Sequence, residues 1–170
     1  MLEFAYKCAR PLLFLLDPEK SHRLSLSFAE ASRMLWPKQN IDDPYKLWGL
    51  HFKNKVGLAA GFDKNADYLH VMQRLGFGHV EVGTVTPRAQ LGNPKPRLYR
   101  QVQTQSIVNH MGFNNKGVKA LCDNLKAFPK DQLIVGVSIG KNKQTPFERS
   151  HEDYVYCLEQ VYAYADYVAI

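Results

Sequence analysis

Three apolar runs, Val56–Ala60, His79–Val85 and Leu133–Ile139, alternate with segments of helical periodicity. Nearly continuous apolar strands separated by amphipathic helices predict a parallel sheet buried on both faces, because parallel neighbours need crossovers that cover them. The helical segments are Ala66–Leu75, with Leu69, Met72 and Leu75 on one face, and a second carrying Val118, Leu121, Cys122 and Leu125. Ser150 with Asp153 reads as a capping box opening a helix through Tyr164, and Tyr167–Ile170 starts a further strand. LWGLHFKN reads as a short strand and turn. A loop rich in Pro, Gly and Arg runs from Thr86 to about Tyr99, and residues 97–109 form a small hairpin.

Two architectures satisfy this alternation. A doubly wound sheet needs a glycine fingerprint after its first strand, yet Gly76-Phe77-Gly78 precedes a strand and lacks the third glycine. A β/α barrel keeps its chemistry at the C-terminal strand ends. Those ends carry Gly61–Lys64, Thr84–Pro87 and Gly140–Asn142. The expected fold is therefore the first half of a β/α (TIM-type) barrel over residues 41–170.

Residues 1–40 form a unit apart. Residues 2–16 are helical in pattern, with Phe4, Cys8, Leu12 and Leu15 on one side. Asp17 is a predicted N-cap, with Pro18 at the first helical position and Glu19 beside the positive end of the dipole. Leu24, Phe28, Ala31 and Leu35 follow at helical spacing, up to Trp36-Pro37. Such a pair either caps the main domain or lies in a membrane interface. No apolar run reaches the roughly 20 residues of a spanning helix, and PLLFLL lacks the cleavage site of a signal peptide.

Composition narrows the function. The net charge of +6 suits a phosphate-bearing ligand or an acidic membrane surface. The basic residues are scattered and form no stripe with stacked aromatics, which argues against nucleic acid. Cys8, Cys122 and Cys157 have no metal-ligand spacing and read as small core hydrophobes.

At the first strand end, Ala60-Gly61-Phe62-Asp63-Lys64 places a bare backbone turn beside a cation. Glycine lets a flat ring approach closely, and lysine can stabilise an electron-rich ring or a carboxylate; the plain alternative is a Gly turn with a surface lysine. Thr84, at the second strand end, can donate to a ring carbonyl, or simply end a strand. Glu81 is mid-strand and calls for a structural partner. Asn109-His110-Met111-Gly112-Phe113 leads an amide-rich stretch that matches an imide edge or, equally, an Asn-rich turn.

Taken in order, LAAGFDKNA, GFGHVEVGTVTPRAQLGNPKPRLYR, NHMGFNNKG, IGKNKQTP and YAYADYVAI resemble the quinone-linked (class 2) dihydroorotate dehydrogenases. They span most of the chain from Val56 onward. The start, with LDPEKSHRLSL, is similar to that family's membrane-associating extension. The resemblance implies FMN over the strand ends, contacted by Ala60, Gly61, Phe62, Asp63, Lys64 and Thr84. It implies dihydroorotate or orotate held by Lys64 and by Asn109, His110, Met111, Gly112 and Phe113. It implies a membrane quinone entering near His22 and Arg100. The implied setting is peripheral, on the cytoplasmic face of a bacterial inner membrane, and the completed protein is expected to be a monomer.

Two departures stand out. Ser138 occupies a flavin-contacting position where the family usually has asparagine. The family's catalytic serine base belongs to a loop beyond Ile170, so no catalytic residue is assigned in this chain, and the chain alone is expected not to turn over. The alternatives are a soluble FMN dehydrogenase with another acceptor, and a non-catalytic segment binding a membrane or partner.

Overall fold

The computed structural model describes the backbone of residues 2–170 and side chains from Tyr6 onward. Phe4 therefore lies outside the described side chains. Two helices come first, α1 (Leu2–Leu15) and α2 (Pro18–Ala31). A hairpin follows, β1 (Tyr45–Leu47) and β2 (Leu50–Phe52), turned by Trp48 and Gly49 at positive φ. Then come β3 (Gly57–Leu58), α3 (Leu69–Arg74), β4 (His79–Val85), the hairpin β5 (Leu98–Gln101) and β6 (Ser106–Asn109), and α4 (Val118–Ala127). The last elements are β7 (Ile134–Ile139), α5 (Ser150–Val161) and β8 (Tyr167–Ala169).

Strands β3, β4, β7 and β8 form one parallel sheet in that order. Val80, Val82, Val137 and Ile139 alternate onto the face that meets Met72, Leu121, Leu125, Cys157 and Val161, and these residues are the core. The opposite face is not the second apolar layer expected from the sequence. It carries half-buried His79, Glu81, Ser138 and Tyr167. Phe52 from the first hairpin packs edge-on against His79, and Tyr45 stacks on Phe52. Glu81 has the structural partner expected for it: its carboxylate lies by Tyr167, whose phenol burial and that carboxylate push up to about 12.

Local structure departs from expectation where side chains capture the backbone. Val56–Ala60 is not a buried strand: only Gly57 and Leu58 pair, and Val56 is 57% exposed, because β3 is the sheet edge. The helix expected at Ala66 starts at Leu69. Asp63 accepts from the Asp67 and Tyr68 amides at 2.9 and 2.8 Å and holds residues 63–68 as a turn, with Ala66 at φ +59°. The capping box does not form. The turn Phe147–Arg149 runs directly into α5, so Ser150 is already helical, and the Asp153 carboxylate accepts from Asn142 N at 2.8 Å. That helix ends at Val161, short of Tyr164.

The N-terminal pair corrects the sequence in another way. Leu12, Leu15, Leu24, Phe28 and Leu35 are exposed, and Leu26 alone of the α2 leucines is buried. Cys8 is exposed too, unlike Cys122 and Cys157, whose thiols burial pushes up, the latter to about 12. Among the described residues no helix is long and apolar enough to cross a membrane. Asp17 does cap α2, accepting from Lys20 N at 3.0 Å. Asp17→Ala is expected to cost about 1 kcal/mol, read as a lowered denaturant midpoint with faster amide exchange in the first turn of α2.

Candidate functional site

A cleft of about 840 Å³ opens between the first turns of α2, the loop after β3 and the loop after β4. The β3 loop is stitched to the end of β4: Gly61 N donates to Gly83 O at 2.8 Å and Gly83 N to Asp63 O at 3.3 Å. Gly61 sits at φ +100°, and a Cβ there would meet only Lys64 Nζ, at 3.9 Å. Backbone and ammonium therefore present themselves together, as the residue types suggested. His22 Nε2 donates to Phe62 O at 3.0 Å, which places the proton on that nitrogen, and its ring packs edge-on to Phe62 at 4.8 Å. Gly61, Phe62, Asp63, Lys64, Met111 and His22 all line this cleft.

Lys64 is half-buried. Burial pushes its ammonium below the ordinary lysine value, the positive Arg97 adds to that, and Glu19 opposes both. A cation held out of water with the cleft before it is suited to an anionic ligand. Asp63 is only 2% exposed and is occupied as a backbone cap. Burial raises its carboxyl above the usual range, against the pull of those amides.

A second group lies at the ends of β4 and β7. Thr84 Oγ1 and Ser138 Oγ share a hydrogen bond of 2.9 Å. A Cβ on Gly140 would fall 2.8 Å from Thr84 Cγ2 and 3.5 Å from the Phe113 ring. Gly140 is thus packed so closely against the Thr84 methyl that a Cβ there would displace it. Ala60 is half-buried and immediately precedes Gly61.

Of Asn109–Phe113 only Met111 lines the cleft, followed in its wall by Asn114 and Asn115. Asn109 and His110 are exposed; Asn109 Oδ1 accepts from Met111 N at 3.0 Å, and Gly112 sits at φ +73° against the Asn93 amide. Arg100 does not reach His22. It closes the end of α1, donating to Leu16 O at 2.9 Å and Leu13 O at 3.3 Å with its guanidinium over the Phe14 ring.

Sequence reading missed the groups that fix this region. Glu19 and Arg97, 78 residues apart, form a buried two-pronged pair. Asn115 and Asn142 both donate to the buried Thr86 hydroxyl, at 2.9 and 3.1 Å, tying three loops together. Both asparagines lie in motifs quoted above, where they read as polar loop residues; nothing local in the sequence pairs Glu19 with Arg97.

Comparison with known proteins places this geometry. The family described as dihydroorotate dehydrogenase matches residues 44–170. The chain is 49% identical over 169 residues to the dihydroorotate dehydrogenase (quinone) of Aromatoleum aromaticum, covering 97% of this chain and 47% of that one. It is 50% identical over 167 residues to the protein of the same name from Acinetobacter baylyi, covering 97% and 50%. The chain thus spans about half the length of these curated relatives. Among solved structures it is similar to the Eimeria tenella DHODH in complex with ferulenol, with a TM-score of 0.79, 37% identity, and coverage of 89% of this chain and 43% of that one. With the matched region running through the sheet, the cleft and both strand-end groups, the chain belongs to the dihydroorotate dehydrogenase family.

Proposed function

We propose that the protein to which this chain contributes oxidises dihydroorotate to orotate with FMN and passes the electrons to a membrane quinone. The observation that carries the reading is the pairing of bare Gly61 backbone with the half-buried Lys64 ammonium at the mouth of the cleft. The residues present fit a flat ring. The missing Cβ of Gly61 leaves room over the first strand end, the missing Cβ of Gly140 lets Thr84 and Phe113 pack closely beside it, and Thr84 and Ser138 offer hydroxyls at the edge. Ser138 keeps its hydroxyl on Thr84, so the pair acts as one donor–acceptor unit where relatives would present an amide.

FMN, when bound, supplies the two-electron acceptor. The chain's own residues bind and orient. Ala60 through Lys64 give backbone contact, with Asp63 holding the turn rather than the ligand. Lys64 pairs with the acid substrate, and Asn109 through Phe113 close on its ring; the Asn109 amide is oriented by its bond from Met111 N. His22 and Arg100 mark the side on which an acceptor enters, His22 over Phe62 and Arg100 at the end of α1. The exposed leucines and Phe28 of residues 1–40 support seating on a membrane surface, with residues 41–170 as the first part of a barrel that is monomeric when complete.

The test is the complete protein, purified and scanned in the visible range, then titrated with orotate. A yellow protein whose flavin spectrum shifts with orotate is expected. Removal of residues 1–40 is expected to depress quinone reduction while a soluble dye is still reduced. A colourless protein that binds liposomes would instead favour the non-catalytic reading.

A further inference from the structure

The Glu19–Arg97 pair stands at an unusual junction. Glu19 belongs to the first turn of α2 and is 5% exposed; Arg97 ends the loop after β4 and is 7% exposed. Arg97 Nε donates to Glu19 Oε2 at 2.9 Å and Nη2 to Oε1 at 2.7 Å. The remaining arm, Nη1, donates to the carbonyls of Leu91 and Asn93. The Arg97 carbonyl in turn accepts from His110 N at 2.9 Å. Asn93 completes the chain, its amide donating to Met111 O and its side chain to His110 O, both at 2.9 Å. One guanidinium therefore joins the N-terminal helical pair, the cleft wall and the stretch assigned above to substrate.

Charge makes the same point. Arg97 and Lys64 are two cations at one cleft. Glu19 neutralises the first and leaves Lys64 to face the ligand, while Lys95, 3.4 Å from Glu19 Oε1, is largely solvated. A fork held on both prongs has its third arm fixed in direction, so the loop carbonyls are placed by the position of α2.

We propose that Glu19 is a positioning residue: through Arg97 it fixes the 91–97 loop and the His110–Met111 backbone, so the seating of α2 sets the shape of the wall opposite Lys64. The proposal goes deeper into the functional reading above and rests on it for the identity of the ligand. The geometry of the latch does not depend on that identity, so the two can fail separately.

The experiment is Glu19→Gln in the complete, flavin-loaded protein, with Arg97→Lys as a second variant that keeps the charge but loses the fork. Hydrogen exchange is read at Asn93, His110 and the first turn of α2, with Val82 and Val137 as internal references. Both variants are expected to exchange at least tenfold faster at Asn93 and His110 with the references unchanged. The orotate dissociation constant is expected to rise about tenfold. Unchanged exchange at Asn93 and His110 would overturn the proposal, as would equal loss at the references, which marks a purely global stability role. Tighter orotate binding in Glu19→Gln would also overturn it, since that is what removing a negative charge does when the residue has no positioning role. If the Gln variant does not fold, Arg97→Lys is read against the same criteria. A wild-type protein that ignores orotate sinks the functional reading, while the exchange data still decide the latch.

Discussion

Gly83→Ala is expected to lose more than about 3 kcal/mol of stability and to express as insoluble protein. Gly83 lies inside β4, the strand flanked by β3 and β7, at φ +104°. A Cβ at this residue would fall 2.4 Å from Ser138 O and 3.0 Å from Val85 N. Both are backbone atoms of paired strands, so neither can rotate away, and moving either breaks the register of β4 with β7. Gly49 provides the control. It too has positive φ, +80°, but nothing lies within 4 Å of its Cβ position. Gly49→Ala therefore carries only the left-handed backbone penalty of about 1–2 kcal/mol. Urea midpoints of the two variants separate the contributions, and a Gly83→Ala protein as stable as Gly49→Ala would refute the steric argument. The result bears on the site as well, because Gly83 O receives the Gly61 amide that shapes the cleft.

That glycine also shows what the sequence could and could not reveal. The alternation of strands and helices was legible because burial of one sheet face imposes it, and Val80, Val82, Val137 and Ile139 obey it in the structure. The second face was not legible. There Glu81 stands beside Tyr167, and His79 packs against Phe52 from a distant hairpin; such contacts leave no period in the chain. A carboxylate with a better use explains two departures: Asp63 folds a turn that delays α3, whereas α5 starts at Ser150 as read but without its capping box, because Asp153 reaches Asn142. The N-terminal helices were legible as helices, since Asp17-Pro18 is a local signal. Their apolar side was not assignable to core or surface, because periodicity reports a face without saying what covers it. At the site, Gly61 and Lys64 were readable as neighbours, being three residues apart. Glu19 and Arg97 were not, because their pairing exists only once α2 lies across the loop after β4.

Lys64→Met is expected to separate stability from binding. Lysine and methionine have similar length, so the apolar stem that fills the side of the cleft is preserved. Burial and Arg97 both oppose the charge of the native ammonium, and Glu19 offsets them only in part. The unfavourable contribution is fully present below the depressed native value, and it fades as pH rises from there toward the ordinary 10.5. The variant should therefore be more stable than the parent at pH 7, by roughly 0.5–2 kcal/mol, as is common when a functional charge is removed. That advantage should shrink in alkaline solution, where the parent lysine sheds its proton. Anion binding should move the other way: loss of a charge-assisted bond weakens orotate by about 2 kcal/mol, roughly thirtyfold. In the parent the affinity should itself fall with rising pH earlier than an ordinary lysine would dictate, and in Lys64→Met that alkaline fall should vanish. Denaturation of both proteins at pH 7 and in the alkaline range, paired with orotate titrations, measures the two trends. A variant that binds orotate as the parent does would remove Lys64 from the site, and one that is less stable at pH 7 would mean that its ammonium is held by partners stronger than Glu19 in the folded protein.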